Sequence, residues 1–153
     1  MKIEYVNPFV TAAFSVIEMT MGAKASKGQL AMRPSSFTSQ QCNVITGVTG
    51  QIHGQVIYGM SLITADKIAS LMLGQPVVTF NELAASAIAE LGNMITGNAM
   101  ALLSEAGFVC DITPQSIIRG TNVKISTLGI PALVVPLCLD AGTIELTVCL
   151  AQK

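Results

Sequence analysis

A chain of 153 residues with a formal net charge of −1, few aromatic residues and no tryptophan offers neither the basic patch nor the stacking platforms of a nucleic-acid binder. Its apolar fraction is 51% and only 11% of it is charged, yet the longest apolar run, Ile130 to Leu139, is broken by Pro131 and Pro136 and falls short of the roughly 20 residues that a membrane-spanning helix needs. Glu4 and Pro8 stand where a signal sequence would carry its apolar stretch. The chain is therefore expected to fold in the cytoplasm, away from any membrane, as one domain over residues 1–153, and its scarcity of charge favours a homo-oligomer.

Asn7-Pro8 reads as a helix cap followed by proline at the first helical position, opening a helix to about Gly22 with Val10, Ala13, Phe14, Ile17 and Met21 in its apolar stripe. A short strand is expected at Leu30–Arg33, stopped by Pro34. Gln41–Val48 and Gln51–Leu62 form two further strands around a turn at Thr49-Gly50. In the second, Ile52, Val56 and Tyr58 alternate with Gln51, His53, Gln55 and Ile57. Gly47, Gly50, Gly54 and Gly59 recur through this hairpin, and glycine inside a strand marks a bulge or a close backbone approach. Thr64 is the expected cap of a short helix ending at Gly74, and a long helix follows from about Asn81 to Glu105, with Gly107 as its stop. Four strands complete the chain: Val109–Thr113, Asn122–Leu128, Ile130–Leu139 and Thr143–Ala151, the last two joined at Asp140-Ala141-Gly142. Two long helices each head a similar run of elements. The order predicts an α+β fold: two long helices packed on an antiparallel β-sheet, with pseudo-duplicated halves.

The four cysteines, Cys42, Cys110, Cys138 and Cys149, are dispersed and read as small hydrophobic residues; the only histidine, His53, falls on a strand face. Neither a zinc site nor a nucleophile–base pair can be assembled from these, so no metal ligands are assigned.

Chemistry points instead to the long helix. Ala84, Ile88, Leu91, Ile95 and Leu102 share one stripe, expected to bury against the sheet, while Ser86, Glu90, Asn93 and Gly97 line the opposite side. Ala89 and Ala101 flank that line, with Met94 and Met100 at its rim, and Glu90 is the only charge between Glu82 and Glu105. Gly92 and Gly97 each cost about 1 kcal/mol relative to alanine in a helix interior. Such a face suits docking of another protein's surface; alternatively, the glycines serve helix packing and the polar pair is incidental.

The segment from Glu82 to Ala99, with Glu90-Leu-Gly-Asn93-Met-Ile-Thr-Gly-Asn98 at its centre, resembles the signature helix of the CheC/CheX/FliY family of chemotaxis phosphatases, in its CheX-like branch. Ser86, Glu90 and Asn93 match the family pattern in type and spacing, and Pro114 answers to its downstream proline after a slightly shorter connection. The glycine-rich hairpin Thr46–Ser61 and the ending from Val134 through Leu146 extend the likeness over nearly the whole chain. In the first helix the matching positions are Phe14, Glu18 and Met21; a thioether cannot orient water as a carboxamide can, so that helix is expected to be non-catalytic.

The resemblance implies a CheC-like fold and a phosphatase acting on the phospho-aspartate of a CheY-like response regulator. Asn93 would position the attacking water, Glu90 would pair with the receiver's lysine, and Ser86 and Gly97 would lie in the contact. It also implies a homodimer through strand edges, attributed to the apolar C-terminal strands, and no cofactor of the enzyme's own, Mg2+ being part of the receiver substrate. The alternatives are a non-catalytic receiver-binding adaptor and a purely structural oligomer.

Overall fold

The computed structural model of this chain describes residues 2–152. Helices α1 (Ile3–Met21), α2 (Leu62–Leu73) and α3 (Glu82–Glu105) cover one face of an eight-stranded antiparallel sheet. Its strands are β1 (Ser26–Lys27), β2 (Ala31–Arg33), β4 (Cys42–Gly50), β5 (Ile52–Met60), β6 (Cys110–Ile112), β7 (Ser116–Arg119), β9 (Ala132–Leu139) and β10 (Gly142–Gln152), while β3 (Ser36–Thr38) and β8 (Lys124–Ser126) pair as a separate ribbon. Alternation along β5 serves two cores. Val56 and Tyr58 point to the helices, and Ile57 points to the other face, where Cys149, Ala132 and Ile125 meet it.

The expected duplication is present as topology. β5 and β10 pair at the centre, and each belongs to a hairpin, β4–β5 or β9–β10. The strands that follow α1, β1 and β2, pair with β9 of the other half; those that follow α3, β6 and β7, pair with β4. β3 and β8 pair with each other across the same pseudo-twofold relation, and α2 alone has no counterpart among the described residues. The sheet edges are thus the short strands β1/β2 and β6/β7. The C-terminal strands are not edges: β10 lies between β5 and β9, and their apolar character reflects burial inside the sheet.

Several boundaries differ from the sequence reading for local reasons. α1 starts at Ile3, with no side-chain cap, and Pro8 lies inside it. Burial of Tyr5 and Val6 draws the first turn into the helix, overriding the Asn7-Pro8 signal. α2 is capped by Ser61, whose Oγ accepts the Thr64 N–H at 3.1 Å; Thr64 is instead buried beneath Gly142. β4 continues through Thr49 and Gly50 because they pair with Asp111 and Cys110, so the turn moves to Gln51. α3 opens as expected, with Asn81 Oδ1 accepting the Ala84 N–H at 2.8 Å. Its buried stripe ends on Leu103, not Leu102, and gains Ala87, Gly92, Thr96 and Ala99.

Candidate functional site

Two contacts set the rotation of α3 about its own axis. Gly92 lies so close to the sheet that a Cβ there would sit 2.8 Å from Val44 Cγ1 and 3.3 Å from Tyr58 Cδ2. One turn further, the buried Thr96 hydroxyl shares a 2.7 Å hydrogen bond with Tyr58 Oη. Burial raises the Tyr58 phenol above its ordinary pKa, which keeps it neutral and able to hold that bond. Nothing in the spacing of residues marks Tyr58 and Thr96 as partners; the pair is visible only once β5 lies beneath α3.

With Gly92 and Thr96 turned inward, the opposite face of α3 is fixed outward. Ser86, Glu90 and Gly97 are exposed, and Asn93 is half-buried. Glu90 and Asn93 lie one turn apart, about 4.5 Å along the axis. Among the described residues, neither side chain has a hydrogen-bond or ion-pair partner within the chain. The carboxylate and the carboxamide are therefore free to bind something outside it. Ala89, Met94 and Met100 are half-buried at the margins and Ala101 is exposed, so little side-chain bulk stands over the pair. The four residues singled out by spacing share one open face.

The two helix glycines have different physical reasons. Gly92 permits close packing, but against the sheet and not another helix. Gly97 does not pack: a Cβ there would meet nothing within 4 Å. A Gly97→Ala protein is accordingly expected to gain about 1 kcal/mol of stability, read as a rise of roughly 2–4 °C in thermal unfolding. A less stable variant would show that position 97 is filled from within the fold.

On α1 the corresponding positions have been diverted. Glu18 is exposed, but Phe14 and Met21 pack against the helix-side core, leaving no carboxamide beside the carboxylate. Thr11, Ala12 and Ser15 of α1 face Asn98, Ala101 and Leu102 of α3 across a depression of about 280 Å³ next to Gly97.

Cys42 and Cys149 are fully buried, and burial pushes their thiols up to about 11 and about 12, so neither supplies a thiolate near neutral pH; Cys110 and Cys138 are partly exposed. His53 lies half-buried on β5, as its alternation implied. Among the described residues no three His, Cys, Asp or Glu side chains cluster, and no helix is long and apolar enough to cross a membrane.

Comparison with known proteins converges on the same helix. Residues 42–138, from the start of β4 into β9 and including all of α3, match the family described as Chemotaxis phosphatase CheX. The chain is 32% identical over 131 residues to the CheY-P phosphatase CheX of Thermotoga maritima, covering 85% of this chain and 84% of that protein. A chain of the CheX–CheY–BeF3–Mg2+ complex from Borrelia burgdorferi superposes with a TM-score of 0.85 at 32% identity, over 99% of this chain and 100% of that one. The chemotaxis protein CheX of Desulfovibrio desulfuricans superposes with a TM-score of 0.86 at 25% identity, over 98% of this chain and 99% of the other. With the family model matching more than half of the chain, all of α3 included, and a relative 32% identical over 85% of it, this chain belongs to the CheX family of chemotaxis phosphatases.

Proposed function

We propose that this protein hydrolyses the aspartyl phosphate of a CheY-like response regulator, with Asn93 positioning the attacking water and Glu90 docking the receiver. The observation that carries the reading is the outward, unpartnered pair itself: one carboxamide and one carboxylate, a turn apart, on a face cleared of bulk. The Thermotoga relative is named as a CheY-P phosphatase, and the Borrelia complex holds CheY with BeF3 and Mg2+.

An aspartyl phosphate in a receiver already has a metal ion and a lysine about it, so the missing ingredient is an aligned nucleophile. Phosphoryl transfer through a loose transition state needs position and charge more than a strong base. The Asn93 amide can both accept from and donate to one water and hold it in line with the P–O bond to the aspartate. Water oxygen bonds to phosphorus, the P–O bond breaks with its electron pair passing to the aspartate carboxylate, and the water's protons leave with inorganic phosphate and solvent. Glu90 meets the receiver's lysine ammonium, a charge-assisted contact that sets the docking angle. Ser86 offers a hydroxyl at one end of the contact, and Gly97 leaves room at the other.

The enzyme works in the cytoplasm as a single domain without a cofactor of its own; Mg2+ arrives with the substrate. It is a homodimer formed at a sheet edge, and the edge assigned is that of β2, which carries the exposed Met32. The test is the lifetime of phosphorylated CheY-like receivers from the same genome, with and without catalytic amounts of this protein. Shortening of one receiver's lifetime is expected. Binding with an unchanged lifetime would make the protein an adaptor.

A further inference from the structure

Asn93 follows Gly92 directly in the chain and precedes Thr96 by one helical turn. Around the axis of α3 the three come in the order Gly92, Thr96, Asn93, with about 40° from the first to the second and about 60° on to the third. Both positions held against the sheet thus lie to one side of the amide, and Asn93 rides on the shoulder beside them, half-buried. Glu90 is about 160° from Gly92, on the far side, and exposed.

The seat beneath Gly92 is rigid. Val44 is fully buried in β4, between Tyr58 of β5 and Ile117 of β7, and its β-branched side chain has little rotamer freedom. Tyr58 is tied to Thr96 by their shared hydrogen bond. A methyl group at position 92 would start 2.8 Å from Val44 Cγ1, about 1 Å inside an ordinary carbon–carbon contact, so the helix itself has to move. With Thr96 tethered, the Gly92 side rises and the Asn93 shoulder rolls towards the sheet. The amide stands about 5 Å from the axis, and a roll of about 10° shifts it by about 1 Å.

The first helix shows that the fold does not demand such a seat. Matching Glu18 to Glu90 sets Thr20 at the place of Gly92, and Lys24, beyond the end of α1, at the place of Thr96. Thr20 carries a side chain there, its hydroxyl donating to the Val16 carbonyl at 2.7 Å. The helix that lacks the amide has neither the glycine nor the tether; the helix that keeps the amide has both.

We propose that Gly92, Thr96 and Tyr58 are positioning residues for the reaction: the glycine seated on Val44 and the hydroxyl tether hold α3 at the roll that keeps the Asn93 amide within reach of the attacking water. The proposal rests on the receiver-phosphatase reading and adds what sets its rate. Roll matters because a receiver cannot rest on α3 alone. The outer line from Ser86 to Gly97 spans about 16 Å by about 10 Å, or about 160 Å², whereas a specific interface takes about 800 Å² from each partner. A docked receiver is then fixed to the subunit as a whole, and a helix that rolls within that frame carries Asn93 away from the phosphoryl group. Misplacement by about 1 Å at a reacting centre costs up to about a hundredfold in rate.

The experiment compares the wild type, Gly92→Ala, Gly92→Ala/Val44→Ala, Tyr58→Phe and Asn93→Ala. For each, Kd is measured on CheY-like receivers from the same genome loaded with Mg2+ and BeF3−, kcat on the same receivers phosphorylated, and thermal unfolding on the protein alone. Gly92→Ala is expected to lower kcat about tenfold or more with Kd nearly unchanged. Val44→Ala removes the carbon nearest to the new methyl group, so the double variant should recover most of the lost kcat, even where the smaller core residue keeps its melting temperature low. Tyr58→Phe keeps the ring and removes the tether; kcat should fall several-fold at unchanged Kd, which tests the device even where Gly92→Ala fails to fold. Wild-type kcat in a folded single variant, whatever its melting temperature, makes these contacts purely structural and overturns the proposal. So does a rise in Kd that accounts for the lost activity, or a double variant no faster than Gly92→Ala. Failure of the phosphatase reading looks different: Asn93→Ala then matches the wild type in receiver lifetime.

Discussion

Replacing Asn93 by alanine is expected to cut the acceleration of receiver dephosphorylation by two orders of magnitude or more while leaving the protein at least as stable as before. The two halves of that expectation have separate causes. Asn93 makes no side-chain hydrogen bond within the chain, so nothing in the fold is orphaned by its removal. Alanine is also the better helix former, by about 0.5 kcal/mol. The loss of rate comes from losing a group that can both accept from and donate to one water. Asn93→Asp sharpens the point, since it keeps the shape but loses the amide donors and sets a negative charge against the phosphoryl oxygens; it should be no better than alanine. Phosphate release from a phosphorylated receiver, read beside thermal unfolding, checks both halves. A variant that loses activity only because it unfolds, or one that keeps its activity, would remove Asn93 from the reaction.

Gly54→Ala is the substitution expected to harm the fold most. Gly54 sits in β5 between Val48 and Leu150 with φ at +144°, a backbone region that side chains rarely enter. A Cβ there would lie 1.8 Å from the carbonyl oxygen of Cys149 in β10. That oxygen belongs to the backbone of the central strand pair, so it cannot swing aside as the end of a side chain could. Strain and overlap together should cost about 4 kcal/mol, a large share of the roughly 5–15 kcal/mol that holds a domain of this size. The melting temperature should fall by roughly 10 °C or more. A variant melting within a degree or two of the wild type would mean that β5 and β10 do not approach so closely.

How much could be read without coordinates varies along the chain, for physical reasons. α3 was legible almost to the residue, because Asn81 is a side-chain cap and the helix is long enough for its two faces to separate. The start of α1 was not, because the burial of Tyr5 and Val6, a tertiary fact, outweighs a local cap signal. β1, β3 and β7 carry no apolar alternation, being short and largely exposed, and exist because a neighbouring strand accepts them. The candidate site was legible as a line of residues on one helix face. Its orientation was not, since that depends on Tyr58 meeting Thr96 and on Val44 lying under Gly92, contacts between segments far apart in sequence. Gly97 and Gly92 looked alike as letters; only the space around each tells them apart.

The exchange of flanking strands makes the two repeats hostages of one another. Ser26 pairs with Cys138 and Ala31 with Val134, while Arg119 pairs with Cys42 and Ile112 with Val48. Neither hairpin can shed its outer strands without tearing open the opposite repeat, so melting has no half-way station and the domain should come apart in one cooperative step. Either half alone would leave its hairpin with bare flanks, since the strands that cover each hairpin come from the other half. The two halves differ in what their helices present: α3 keeps the Asn93 amide on its open face, whereas α1 packs Met21 against the core at the matching position.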